Sequence, residues 1–456
     1  MTTSRPISYA AGPGHTRSFR ETAQAFRDGR ETPRDYLEKF IDRITASEDD
    51  IHAFVTLTVD GARAAADAAA LRYRDGIPAS SIDGLPLGLK DLIQTAGVPT
   101  QAGSPIYEGW VPERDAPVTA ALKRAGATLV GKTATTEFAY GAITPARNPY
   151  DPERTPGTSS SGSAAAVGDG MLPAAIGTQL MSSVMRPASY CAHVGVKPTY
   201  GAIRQDAIHP FSPSGEHVGV HANALEDAWQ ILRVLAAEAG PVPGSHGLTG
   251  PAELPTKQAP KRLMRMYTPG WELASASVRA AFEDALAKLS NSGVDIVEPQ
   301  SASALQVLED DFARADWCIA EVAAFEMRWP FFEYEREGHK FHARIERLLE
   351  RAHAITLDDY NAALAWKDAF RDRYMASAQM IDGVIGLTAP EIAPVGLENL
   401  GNPLMCSPAS CMGAPAITLP ALSADGFPLG LQLIGFNGHD ADLFALANWV
   451  DDALAR

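Results

Sequence analysis

The chain has 456 residues, of which 46% are hydrophobic and 21% charged, a composition that reads as soluble and globular. That length suits one very large α/β domain or two that share a sheet. Lys and Arg total 39 against 55 Asp and Glu, a formal charge of −16, which disfavours nonspecific nucleic-acid binding while leaving room for a local basic patch. Four cysteines, Cys191, Cys318, Cys406 and Cys411, are too few and too irregular for a disulfide scaffold or a C-x2-C zinc knuckle. Buried thiols are expected instead. The N-terminal MTTSRPISYAAGPG shows no basic-then-apolar leader, and no apolar run is long enough to span a bilayer. The expectation is a cytoplasmic protein without membrane or nucleic-acid partners.

Taken in order, Phe19 to Ala46 carries a broken helical pattern, with Thr32-Pro33 as N-cap and first turn. Ala53 to Leu57 reads as a strand, and the Ala-rich run Gly61 to Gly76 as a helix stopped by glycine. Leu85 to Ile93 is apolar apart from Lys90-Asp91. Pro117 opens a helix over 118–125, and Thr128 to Lys132 is a buried strand. The alternation predicts a mixed or parallel sheet with helices on its faces. Further on, 222–237 is a helix with Asn223 as its cap, 241–260 a Pro/Gly-rich surface connection, 275–290 a helix and 294–299 a strand. The stretch 305–375 is nearly all helical. Its aromatics Trp317, Phe325, Trp329, Phe331, Phe332 and Tyr334 either pack a core or belong to a cap over a site. A strand at 384–387, a hairpin-like pair around Ala424-Asp425-Gly426 and a helix at 441–453 complete the chain.

Between these lies Arg154 to Tyr200, rich in Gly, Ser, Thr and Ala yet interrupted by apolar residues throughout. Small residues allow close backbone approach, and hydroxyls supply nucleophiles and hydrogen-bond donors. Ser159, Ser160, Ser161, Ser163, Ser182 and Ser183 are the candidate hydroxyls. No G-x-S-x-G elbow, H-E-x-x-H, G-x-G-x-x-G or Walker A pattern is present, so a Ser-His-Asp hydrolase, a zinc hydrolase and a nucleotide-binding fold all lack their signatures. Lys90 is out of place in LPLGLKDLI. Either it snorkels or pairs with Asp91, or it is held in a desolvated site where its lowered pKa makes it a base.

The block GTQLMSSVMRPASYC with KPTYG, together with DGLPLGLKDLI, TAGVPTQAGS, LVGKTATTEFAYG, GAPAITLP and DGFPLGLQLIG, resembles the amidase signature family. The resemblance spans most of 30–235 and 380–450. It implies one domain over 1–456 built on a central mixed sheet of about eleven strands, with 240–380 as a variable, mostly helical region placed to cover the active site. It also implies amide hydrolysis, sometimes of esters or carbamates, by a Ser–cis-Ser–Lys triad with no metal or organic cofactor, acting as monomer or homodimer. By motif the base is Lys90, the bridging serine Ser159 and the nucleophile Ser183. The oxyanion hole falls on the backbone N–H groups of Leu180, Met181, Ser182 and Ser183.

This chain departs from the family pattern around the nucleophile. Met181-Ser182 stands for the usual Gly-Gly, Gln179 for an aspartate and Met185 for an arginine. Arg186, three positions after Ser183, resembles the arginine of a subgroup that includes malonamidase, where it meets a substrate carboxylate. A structural salt bridge is its other reading. Ala139 and Tyr140 match positions lining the acyl channel of fatty-acid amide hydrolase. With Met181 they imply an apolar or aryl carboxamide, ester or carbamate as substrate. The alternatives are a carboxylate-bearing amide held by Arg186, the glutaminase component of an amidotransferase, and a catalytically weakened binding relative.

Overall fold

The computed structural model describes Tyr9, residues 18–141 and residues 143–455; most of the N-terminal segment read above lies outside them. Eleven strands form one sheet: β1 (Phe54–Leu57), β2 (Pro86–Lys90), β3 (Thr128–Thr133), β4 (Ala174–Gln179), β5 (Val194–Lys197), β6 (His217–Ala222), β7 (Arg262–Arg265), β8 (Asp295–Val297), β9 (Gly383–Leu387), β10 (Ala416–Ala424) and β11 (Phe427–Ile434). Their order is β1-β3-β2-β4-β6-β5-β10-β11-β9-β7-β8. The pairs β3–β2, β2–β4, β9–β7 and β7–β8 are parallel and the rest antiparallel. This is the mixed α/β sheet of about eleven strands that the resemblance implied.

Local chemistry explains most boundaries. Thr32 caps the helix Pro33–Ile51 by accepting from Asp35 N, with proline in its first turn. Asp425 and Gly426 both take positive φ, 52° and 79°, and close the β10–β11 hairpin as a two-residue turn requires. The helix expected from residue 222 instead starts at Leu225 behind Ala224. Asn223 turns away to donate to Leu172 O at 3.4 Å, and the residues before it extend strand β6 to Ala222.

Two large apolar clusters pack against this framework. One joins Leu87, Leu89, Val220, Trp229 and Leu431, and the other joins Met185, Phe312, Phe331, Phe370 and Tyr374. The second lies under four helices, Ser303–Glu326, Arg328–Arg336, Ala343–Ala354 and Leu357–Ala376. Within the aromatic group Phe331 and Tyr334 are buried against Phe138 and Phe341, whereas Trp317 and Trp329 face solvent. All four cysteines are free and buried.

The Ser/Gly tract folds as helix Ser161–Gly168, strand β4, helix Met185–Tyr190 and strand β5, with nearly every residue buried. Gly162 is needed there because a Cβ would come 2.3 Å from both Ala134 N and Ala53 O. Gly162→Ala should therefore destabilise the fold by about 1–3 kcal/mol, the usual cost of overpacking. By contrast Gly61, in the helix Val59–Arg74, has nothing within 4 Å of its would-be Cβ. Gly61→Ala should stabilise by about 0.5–1 kcal/mol. Urea denaturation midpoints check both, and equal shifts would contradict the packing described.

Candidate active site

Strands β2 and β4 are parallel neighbours, so their C-terminal ends open at the same edge of the sheet. The first ends in Lys90 and the second in Gln179, which leads directly into Leu180–Ser183. Crevices at the carboxyl ends of such strands are the common ligand sites of α/β sheets. Ser159 reaches the same place from the turn before the helix Ser161–Gly168. The chain enters that turn through Gly157 at φ 120°, where a Cβ would lie 2.7 Å from Pro187 Cα.

Lys90 is fully buried and forms no ion pair among the described residues; Asp91 pairs instead with Lys132 at 3.3 Å. Lys90 Nζ lies 2.7 Å from Ser159 Oγ, 2.9 Å from Thr178 Oγ1 and 3.4 Å from Thr178 O. Burial holds its pKa well below the usual lysine value, opposed by the field of Glu216. Glu216 itself is pushed up to about 7 by burial. A neutral amine has two N–H groups and one lone pair. The Thr178 oxygens can accept from both N–H groups while the lone pair accepts from the Ser159 hydroxyl.

Three of the other tract hydroxyls are engaged elsewhere. Ser160 Oγ donates to Thr178 O at 3.2 Å, Ser161 Oγ to Thr144 Oγ1 at 2.8 Å, and Ser163 Oγ is 2.7 Å from Thr133 Oγ1. The peptide bond before Ser159 is trans, which corrects the cis bond that the family pattern implied; the cis bond among the described residues is Trp329–Pro330.

Ser183 is 8% exposed and shares a cavity with Ser159. Its Oγ makes no hydrogen bond among the described residues, so the Ser159–Ser183 link is open in this state. None of the N–H groups of Leu180, Met181, Ser182 and Ser183 has an acceptor among the described residues either. Met181 adopts no left-handed backbone, so this position does not require glycine. Gln179 holds the loop in shape. Its Oε1 accepts from Val184 N at 2.9 Å and Met185 N at 3.0 Å, and its Nε2 donates to Ser410 Oγ at 3.0 Å. Ser410 Oγ in turn donates to Met181 O at 2.8 Å.

Ala139, Tyr140, Met181 and Arg186 all line this cavity, which has a volume of about 30 Å³. Phe138 and Ala139 sit at φ 48° and 60°, a strained turn fixed by Phe138 N donating to Ala102 O at 2.8 Å. Tyr140 stacks on Phe211 with centroids 4.8 Å apart. Arg186 is 2% exposed, and its Nε and Nη1 have no hydrogen-bond partner among the described residues. The hydroxyls of Thr136 and Thr158, on the same wall, are also unsatisfied. Burial lowers the Arg186 pKa from its usual value, and no carboxylate approaches within ion-pair distance among the described residues. The salt bridge offered as its structural reading is absent from them. Arg344 also lines the cavity and was not singled out from sequence. Among the described residues no cluster of His, Cys, Asp or Glu is placed to hold a metal ion, and no helix is long and apolar enough to cross a membrane.

Comparison with known proteins agrees with this geometry. The amidase family model matches residues 35–444. A glutamyl-tRNA(Gln) amidotransferase subunit from Roseiflexus sp. (strain RS-1) is 32% identical, covering 92% of this chain and 93% of that protein. The protein of the same description from Anaeromyxobacter dehalogenans (strain 2CP-C) is 32% identical, covering 92% of each. A solved structure described as an amidase is 28% identical with a TM-score of 0.80, covering 95% of this chain and 98% of its own. Another, described through a vestigial protein complex and the origins of an s-triazine catabolic enzyme, is 28% identical with a TM-score of 0.82, covering 95% and 97%. The chain belongs to the amidase family and is an amidase-signature hydrolase.

Gln179→Ala should leave two buried backbone N–H groups unsatisfied, at about 1–3 kcal/mol each. Loss of kcat should exceed about 10-fold, because the loop carrying the free N–H groups loses its clamp. Gln179→Asp keeps an acceptor for Val184 and Met185 while losing the donor to Ser410, and should fall between wild type and alanine. Steady-state kinetics with thermal melts checks the order.

Proposed function

We propose that the protein is an amidohydrolase acting through an acyl-enzyme on Ser183, with Ser159 as proton relay and Lys90 as general base. The observation that carries this reading is a fully buried lysine, its pKa depressed, 2.7 Å from Ser159 in a cavity shared with Ser183 and its free N–H groups. Neutral Lys90 takes the Ser159 proton as Ser159 takes that of Ser183, and Ser183 Oγ attacks the carbonyl carbon. The N–H groups of Leu180 to Ser183 receive the charge that develops on the carbonyl oxygen. The relay then returns a proton to the leaving nitrogen, and water releases the acyl group by the same route.

For the substrate, the favoured reading is a small amide bearing a carboxylate that pairs with Arg186. A buried guanidinium with open donors is costly to maintain unless a ligand completes it. That observation reverses the order set from sequence, in which neutral aryl or alkyl amides came first. The neutral reading retains support from Tyr140, Ala139 and Met181 on the cavity wall. The amidotransferase components among the relatives raise glutamine hydrolysis as a further reading. Against it, the nucleophile block here differs at seven positions from the GTDTGGSIRQPA pattern of those proteins, at Gln179–Ser182 and Val184–Arg186.

Two measurements test these assignments. Ser183→Ala should lower kcat by about 10⁴-fold or more and abolish labelling by a fluorophosphonate. Labelling that persists at Ser182 or Ser160, read by peptide mapping, would overturn the assignment of the nucleophile. Because Lys90 must be neutral, kcat/KM should fall as pH drops through its depressed pKa and hold a plateau above it. Glu216 favours the charged lysine, so Glu216→Gln should move the acid limb to lower pH; an upward move contradicts the electrostatics described.

A panel of short half-amides such as malonamate and succinamate, neutral anilides, carbamates and glutamine tests the substrate class. Arg186→Gln should depress kcat/KM for the half-amides about 10–100-fold more than for the anilides. An equal loss on both would leave Arg186 structural and return the neutral amides to first place.

A further inference from the structure

The second cation in the cavity belongs to the helical region rather than to the Ser/Gly tract. Arg344 lies in the first turn of the helix Ala343–Ala354, whose apolar face of Ile345, Leu348, Leu349 and Ala352 is buried. The start of this helix is tied to the strained segment that carries Ala139 and Tyr140. His342 N donates to Glu137 Oε2 at 3.0 Å, and Ser104 Oγ donates to Glu137 Oε1 at 3.0 Å. Gly141 meets the helix so closely that a Cβ there would lie 2.7 Å from Ile345 Cδ1. Arg344 is thereby fixed over the Tyr140 ring, its guanidinium carbon 5.5 Å from the centroid.

Among the described residues the Arg344 guanidinium has neither an ion pair nor a hydrogen bond. The nearby carboxylates are otherwise engaged. Asp316 accepts from Ser407 Oγ at 3.0 Å, and Glu391 accepts from Tyr190 OH at 2.7 Å and Asn402 N at 2.9 Å. Asp316 acts on both arginines, and Glu391 on Arg186, only through space. The cavity wall thus offers two guanidinium groups, those of Arg186 and Arg344, and two unsatisfied threonine hydroxyls, with no acid on the wall itself.

We infer that Arg344 is a specificity-determining residue that joins Arg186 in holding the carboxylate of the substrate, so that the helical region selects short half-amides of dicarboxylic acids. This rests on the carboxylate reading of Arg186 given above and extends it to a residue on a separate part of the chain. Two guanidinium forks can accommodate both oxygens of one carboxylate, which a single arginine fixes only in one plane. Stacking on Tyr140 restricts Arg344 and reduces the entropy lost on binding.

The test compares a half-amide with its own methyl ester, so that only the charge differs. For Arg344→Gln the ratio of kcat/KM for malonamate to that for its methyl ester should fall about 10-fold or more, mostly through KM, and Arg344→Lys should recover part of it. Malonate, used as a competitive probe, should lose affinity in the same order. Thermal melts and the rate of fluorophosphonate labelling at Ser183 separate this from misfolding. If Arg186→Gln changes the ratio and neither Arg344 variant does, the role of Arg344 is overturned while the carboxylate reading stands. If neither Arg186→Gln nor Arg344→Gln changes it, both are overturned. A fall confined to kcat, equal on acid and ester, would also overturn the inference, because it would mark Arg344 as a support for the turn at Tyr140.

Discussion

The removal of one lysine amine from water organises this site. At full burial and without a carboxylate at ion-pair distance among the described residues, desolvation favours the neutral form of Lys90, the form that the proposed relay requires. The surrounding sheet makes this tolerable. Thr178, on the adjacent parallel strand, offers two oxygens to the amine, and Ser159 offers the third contact. A carboxylate brought to ion-pair distance would favour the ammonium and work against the proposed base. The neighbouring pair of Asp91 and Lys132 shows that alternative, with charges matched one strand away.

Hydrogen bonding likewise shapes the loop from Gln179 to Ser183. Where the family pattern has aspartate and two glycines, this chain has Gln179, Met181 and Ser182. A glutamine can accept from two backbone N–H groups and donate to Ser410 at once, so it joins the loop to a helix that an acceptor-only carboxylate could not reach in that way. Met181 needs no glycine-only backbone and places a thioether on the cavity wall. These replacements preserve the free N–H groups and alter what surrounds them.

Much of the fold was readable because its turns and caps carry their own chemistry. Thr32-Pro33, Pro117 and Asp425-Gly426 each announce a boundary through a dihedral or a missing donor. The tract from Arg154 to Tyr200 was legible as a site and illegible as structure. Strands β4 and β5 are buried on both faces, so nothing alternates, and the helix Ser161–Gly168 is apolar or small all round. Strand β6 was masked by the helix that follows it, and the lone Asn223 looked like a cap because its contact with Leu172 is long-range. Lys90, Ser159 and Ser183 could be picked out as a candidate set from motifs. Arg344 could not, since ARIERLLERAHA carries several charged residues and its pattern does not say which of them meets the cleft.

The cavity holding Ser183 encloses about 30 Å³, room for two or three water molecules. An amide with a carboxylate attached is larger than that, so a substrate that reaches Ser183 and Arg186 together would need side chains on this wall to give way. The observed affinity is then the intrinsic affinity multiplied by the fraction of molecules already open. Any substitution that tightens the cleft, even one distant from the reacting atoms, would raise KM while improving stability.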